Sequence, residues 1–154
     1  MNVYLTDEQD EPLDAGALRA LAEHVLKSEG LPPETEMLLM LVDPVQMAGY
    51  NKSYMGRDEA TDVLAFPVLD LEPGHPPRRL AGDPPVLLGD VLLCPAFIAR
   101  RAEEDGVPPQ EDLERLTVHG MLHLLGYDHD DPAAAEVMEE REDALLGLGM
   151  EEDA

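Results

Sequence analysis

The chain of 154 residues holds one cysteine, no tryptophan, two phenylalanines and four tyrosines. Lone Cys94 excludes an internal disulfide framework and any cysteine-rich zinc site. Bases are scarce as well: 10 Lys and Arg stand against 34 Asp and Glu, a net charge of −24. So acidic a chain argues against general affinity for nucleic acid, because phosphate contacts need Lys and Arg. The longest apolar run, Met37 to Val42, has six residues. A membrane-spanning helix needs about 18 to 20, so none is expected. The first residues, MNVYLTDEQDE, lack both the basic start and the apolar stretch of a signal peptide. These absences together predict a cytoplasmic protein without membrane contact.

What is present supports a folded globule. Hydrophobic residues make up 44% of the chain. The length suits one domain over residues 1–154, with an acidic C-terminal tail from about 147 to 154. The charge is uneven. Residues 1–51 carry 10 acids and 2 bases, residues 52–101 carry 7 and 6, and residues 102–154 carry 17 and 2. Six of the ten bases therefore lie in the middle third: Lys52, Arg57, Arg78, Arg79, Arg100 and Arg101. A local basic patch requires a fold that brings them together.

Apolar spacing places the elements. Asn2 to Leu5 reads as a short edge strand. Leu18, Leu21, Ala22, Val25 and Leu26 recur at helical spacing, with Asp14 to cap that helix and Gly30 to end it. Glu36 to Val42 has the density and length of a strand. Asp43-Pro44 then opens a helix running to about Tyr54. Asp62 to Val68 is a second such strand, and Pro67 makes it an edge or ends it. Leu71 to Pro85 holds five prolines and two glycines and reads as an excursion loop. Val86 to Leu93 is a strand interrupted at Gly89-Asp90. Helices are expected over Pro95 to Glu104, Glu111 to Leu125 and Pro132 to Leu146, the last acidic and amphipathic through Val137, Met138, Leu145 and Leu146. Four strands and about five helices in mixed order predict a single α+β domain.

The chemistry concentrates in one segment, His119-Gly120-Met121-Leu122-His123-Leu124-Leu125-Gly126-Tyr127-Asp128-His129. His119 and His123 stand at i and i+4 on a predicted helix and so share one face. Two imidazoles there can reach one ion at about 2.0–2.1 Å each. Gly126 can take the left-handed conformation that ends the helix and turns the chain back. His129 then returns as a third ligand. Zinc is the default metal for three histidines, one ion per chain. Three protein ligands leave one position open, the catalytic pattern of zinc. His24 and His75 have no partners at such spacing and read as ordinary surface or core residues.

The same spacing occurs in metzincin proteases, H-E-x-x-H-x-x-G-x-x-H. There the Glu is the general base; here its position is Gly120. Peptide hydrolysis is thereby disfavoured. The segment instead resembles the signature of the YbeY family, bacterial endoribonucleases of rRNA maturation. Two further stretches agree with that family. Thr61-Asp62-Val63-Leu64-Ala65-Phe66-Pro67 resembles its T-D/N-V-L-S-F-P strand, with Ala65 for Ser, and Leu88-Gly89-Asp90-Val91 resembles its L-G-D-I/V element. The resemblance spans about residues 36–146. It implies a small mixed four-stranded sheet flanked by helices, with the metal-binding helix packed on the sheet.

One departure matters. The family commonly reads L-N-x-x-Y-R ahead of the Thr61 strand; here the residues are Tyr50-Asn51-Lys52-Ser53-Tyr54-Met55. Asn51 and Tyr54 match, but Met55 stands where the family has its functional Arg. Methionine cannot offer a guanidinium to a phosphate. Arg57 can reach the same space if the segment is a loop; in a continuing helix, positions 55 and 57 lie about 200° apart. Arg57 is thus the candidate for stabilising charge developing at phosphorus. Asp128 is the nearest carboxylate in sequence, either assisting the reaction, orienting an imidazole or capping a turn. Asp62 and Asp90 read as structural residues at strand ends.

The resemblance implies a zinc-dependent endoribonuclease acting on single-stranded RNA in rRNA 3′-end maturation and ribosome quality control. Its implied partners are rRNA, the small ribosomal subunit and the ribosome, with possible contact to basic ribosomal proteins. The scarcity of Phe and Tyr predicts reading of shape and backbone over base-by-base readout. Two other readings compete. One is a non-catalytic ribosome assembly factor with a structural metal, which suits the acidic surface. The other is a metal-dependent hydrolase of a peptide or ester.

Overall fold

The computed structural model describes residues 1–147. Strand β1 (Asn2–Glu8) leads to helix α1 (Ala15–Ser28), whose Asp14 cap accepts a hydrogen bond from the Ala17 amide. Strand β2 (Thr35–Val42) and helix α2 (Pro44–Met55) follow. Asp43 and Gln46 form a reciprocal capping box at the start of α2, and Gly56 ends that helix in the left-handed conformation. Next come the adjacent strands β3 (Val63–Pro67) and β4 (Val86–Leu93), joined by the expected excursion loop. Helices α3 (Pro95–Asp105), α4 (Pro109–Leu124) and α5 (Pro132–Leu145) complete the described chain. The expected acidic tail lies, beyond Gly147, outside the described residues.

The four strands form one mixed sheet in the order β1-β2-β4-β3. β1, β2 and β4 run parallel, and β3 joins β4 antiparallel at the outer edge. The fold is therefore the expected single α+β domain. Alternate residues of each strand face opposite sides. On one side Leu39, Leu41, Val91 and Leu93 pack with Leu18, Val118, Met121 and Leu122 of α1 and α4 in the main core. On the other side Met47 of α2 joins Val42, Leu64, Leu92 and Cys94 in a smaller core. No described helix is long and apolar enough to cross a membrane.

Three expectations need correction. β1 runs to Glu8, because all seven of its residues pair in register with β2 from Glu36 to Val42. β4 is not interrupted at Gly89-Asp90: the strand continues, and the register with β2 shifts between Glu36 and Met37. Gly89 takes φ +137° there, and a side chain would strike the Phe66 carbonyl of β3. A bulge therefore reads locally like a break. On α5, Met138 and Leu145 are buried as expected, but Val137 is exposed.

Helix α4 packs on β3 and β4 as well as on its helical neighbours α1, α3 and α5. Its approach to the sheet is very close at Gly120, where a β-carbon would lie 2.7 Å from Val91 Cγ1 and 3.2 Å from Val63 Cγ2. No larger residue fits without lifting the helix. Overpacking of this kind costs about 1–3 kcal/mol, against about 1 kcal/mol of helix propensity gained when Gly becomes Ala. We predict that Gly120→Ala lowers the urea midpoint. A midpoint raised by the substitution, as propensity alone would give, contradicts the close seat of α4.

Candidate metal centre

His119 and His123 stand on successive turns at the end of α4. The helix stops at Leu125, and Gly126 turns the chain with φ +98°. A side chain at 126 would collide with the backbone of Leu71, so the excursion loop closes over this turn. The reversal returns His129 to the other two rings. Ring centroids lie 4.7 Å apart for His119–His123, 5.6 Å for His119–His129 and 5.2 Å for His123–His129. One ring nitrogen from each falls within 4.8 Å of the others. The geometry thus brings together all three residues expected from the spacing.

Hydrogen bonds set the tautomers. His119 Nδ1 lies 3.0 Å from the Glu142 carboxylate, and His123 Nδ1 lies 3.0 Å from the Tyr127 carbonyl. Both partners accept, so each Nδ1 carries the proton and donates, which leaves each Nε2 bare. The two Nε2 atoms face one another at 3.1 Å. Two ligands at about 2.0–2.1 Å in tetrahedral geometry lie about 3.3–3.4 Å apart. The observed spacing agrees with one shared cation to within a few tenths of an ångström. Burial, the largest cause, and the neighbouring imidazoles lower the pKa of His123, partly opposed by the Tyr127 hydrogen bond. Its neutral form, the one that ligates, is favoured.

Glu142 is the residue that sequence reading misses. It lies on α5, 23 positions from His119, with a side chain only 10% exposed. Arg115, one turn before His119, faces its other oxygen at 3.5 Å and pairs with Asp143 at 2.9 Å. Nothing local distinguishes Glu142 from the other acids of α5. Asp128, the nearer carboxylate in sequence, is exposed and accepts from the Asp130 amide as a turn cap. His24 is exposed, and His75 meets the Pro73 carbonyl in the excursion loop; neither belongs to the three-His group.

The rings open into a cleft of about 440 Å³. Its far wall is β3, through Val63, Ala65 and Pro67, and Met55 and Asp62 close one end. Asp62 accepts from the Val63 amide at 2.7 Å and pairs with Arg101 at 2.9 Å, a structural role as expected. Asp90 points from mid-strand to the opposite face of the sheet, beside Leu38 and Leu87. Arg57 is exposed beyond the Gly56 turn and does not line the cleft. Buried Asn51 holds that loop: it donates to the Glu59 carbonyl, and its own carbonyl accepts from the Arg57 amide. The middle-third bases converge only in part. Lys52, Arg57 and Arg101 lie on the elements bounding the Met55–Asp62 end, whereas Arg79 pairs with Glu34 elsewhere.

The profile of the family described as Endoribonuclease YbeY matches residues 4–148. The chain belongs to the YbeY family. It is similar to the Endoribonuclease YbeY of Salinispora tropica, with 42% identity over 86% of this chain and 85% of that one. The counterpart from Acidothermus cellulolyticus is 40% identical over 95% and 90% of the two chains. A Thermotoga maritima protein solved in solution shares the fold, with a TM-score of 0.59 at 21% identity over 97% and 93%. In this YbeY chain the site's structural signature is thus a helix end, a glycine turn and a carboxylate from a later helix.

Two predictions follow from the hydrogen bonds and burial of the rings. Glu142→Gln keeps an acceptor but removes the charge beside His119, and outer-ring changes of this kind typically cost 10–100-fold in metal affinity. Competition with a chromophoric chelator should show a loss of about tenfold or more; unchanged affinity would detach Glu142 from the site. The second concerns pH. The folded, metal-free protein binds the His123 proton less readily than the unfolded chain, so stability rises with pH between the lowered value and the ordinary 6.5. Denaturation of metal-free protein should therefore show stability falling below about pH 6.5. His123→Gln should flatten that slope, and an equal slope in the variant would contradict the assignment.

Proposed function

We propose that the protein is a zinc-dependent endoribonuclease that cuts single-stranded RNA in the cytoplasm. Its place is rRNA 3′-end maturation and ribosome quality control, on the small ribosomal subunit or the ribosome. The observation that carries this reading is the convergence of three imidazole nitrogens on one side of an open cleft, in a chain of an endoribonuclease family. His119, His123 and His129 hold the ion. When bound, zinc supplies Lewis acidity that activates water or polarises a phosphodiester oxygen at neutral pH.

The chain's own residues do the rest. Glu142 and the Tyr127 carbonyl lock two rings with Nε2 toward the cleft. β3 gives the substrate a wall of Val63, Ala65 and Pro67. Gly120 lines the cleft but carries no side chain, so α4 offers no carboxylate base at the metzincin position. That weighs against peptide hydrolysis. Met55 occupies the end of the cleft without charge, and Arg57 is the side chain we assign to approach the substrate phosphate from the adjoining loop. The exposed Glu136, Glu139 and Glu140 of α5 suit contact with basic ribosomal proteins. That acidic face also favours a second reading, an assembly factor that docks without cutting.

Zinc-loaded protein should cleave single-stranded RNA faster than duplex, and His119→Ala should abolish cleavage. Equal cleavage by the variant would overturn the assignment. Retained ribosome binding without cleavage by wild type would favour the assembly factor. Arg57→Ala should lower kcat/KM by about tenfold or more, in line with loss of a group that stabilises developing charge; unchanged cleavage removes Arg57 from the mechanism.

A further inference from the structure

Aromatic rings are rare in this chain, yet three of the six meet at one place. Tyr54 lies 5.0 Å from Phe66 and 6.4 Å from Tyr50, nearly parallel to the latter at 17°. Tyr50 is itself anchored, with its hydroxyl on the Met40 sulfur. Tyr50 and Phe66 pack against the smaller core and are half-buried. Tyr54 is 66% exposed. Its ring is held in place by two neighbours while most of its surface faces water, so burial gives little reason for a tyrosine there.

Position gives one. Tyr54 occupies the last turn of α2, and the next residue, Met55, lines the three-His cleft. Phe66 stands between Ala65 and Pro67, which line the same cleft from the other face of β3. β3 is the edge strand, with no strand on its outer side among the described residues. The aromatic group and the cleft are therefore two sides of one exposed edge. Lys52 and Arg57 flank Tyr54 in sequence, and Arg101 stands at the Asp62 end of the cleft. Lys52 faces Asp58 and Arg101 pairs with Asp62, so this edge is closer to neutral than the strongly acidic chain as a whole.

We infer that Tyr54 is a stacking platform for one nucleobase of a single-stranded RNA whose backbone crosses the outer edge of β3 into the three-His cleft. The inference rests on the RNA-cleaving reading and extends it to a residue. A preformed exposed ring binds any base through its π-face without reading sequence. A base stacked inside a duplex cannot present that face, so the platform favours single strands.

The chain has no tryptophan, so Tyr54→Trp introduces a single indole, excited selectively beyond the remaining tyrosines, at the platform. The zinc-loaded variant is titrated with a short oligouridylate, and separately with an abasic ribose-phosphate chain of the same length. Saturable change of the indole emission with the first and none with the second supports the platform. Equal response to both, or response to neither, overturns it. Independently, Tyr54→Ala should weaken oligouridylate binding about tenfold and Tyr54→Phe less than about twofold, with zinc content and melting temperature held. Binding by Tyr54→Ala equal to wild type overturns the platform as well. Cleavage of the oligouridylate by wild type is scored in parallel. Cutting with a silent indole removes the platform and leaves the ribonuclease standing; a responsive indole without cutting does the reverse.

Discussion

The seat of α4 on the edge of the sheet is the constraint on which the site depends. At Gly120 the helix approaches Val91 and Val63 so closely that no side chain fits between them. Because the histidines stand one position before and three after that contact, the seat sets how both rings face β3. A helix held further out would carry His119 and His123 away from the wall that completes the cleft. The same contact leaves no room for a side chain at position 120, the place where a protease of this spacing keeps its base. One packing requirement thus positions the three-His group and leaves no carboxylate at position 120.

Around the rings, polar groups do what apolar packing cannot. A buried carboxylate is costly unless charge and hydrogen bonds compensate it. Glu142 has both, through Arg115 and the His119 N–H. This small network joins α5 to α4, so the placement of the last described helix is tied to the orientation of a ligand. The Tyr127 carbonyl does the equivalent for His123 within the turn itself. The packing of α5 on α4 and the orientation of His119 are thus linked by direct contacts.

Local signals carried much of this into the sequence. Apolar spacing, the Asp14 and Asp43 caps and the turn at Gly126 were legible because each acts within a few residues. The three histidines were legible for the same reason: a helix face and one tight bend bring them together. Glu142 was not, since only the packing of α5 on α4 selects it from a run of similar acids. At Asp128 the sequence left several roles open, and the hydrogen bond from the Asp130 amide is that of a turn cap. Gly89-Asp90 read as a break because a bulge is defined by the partner strand, which no local window contains. Counting aromatics hid the cluster at Tyr54, because rarity in composition says nothing of concentration in space.

In an acidic chain, adventitious metal on surface carboxylates is the rival to a built site. X-ray absorption at the zinc edge of the loaded protein separates the two. The account predicts three imidazole nitrogens at about 2.0–2.1 Å and a single further light atom in the fourth position. A shell of oxygens alone, or four protein ligands closing the ion off, would contradict it.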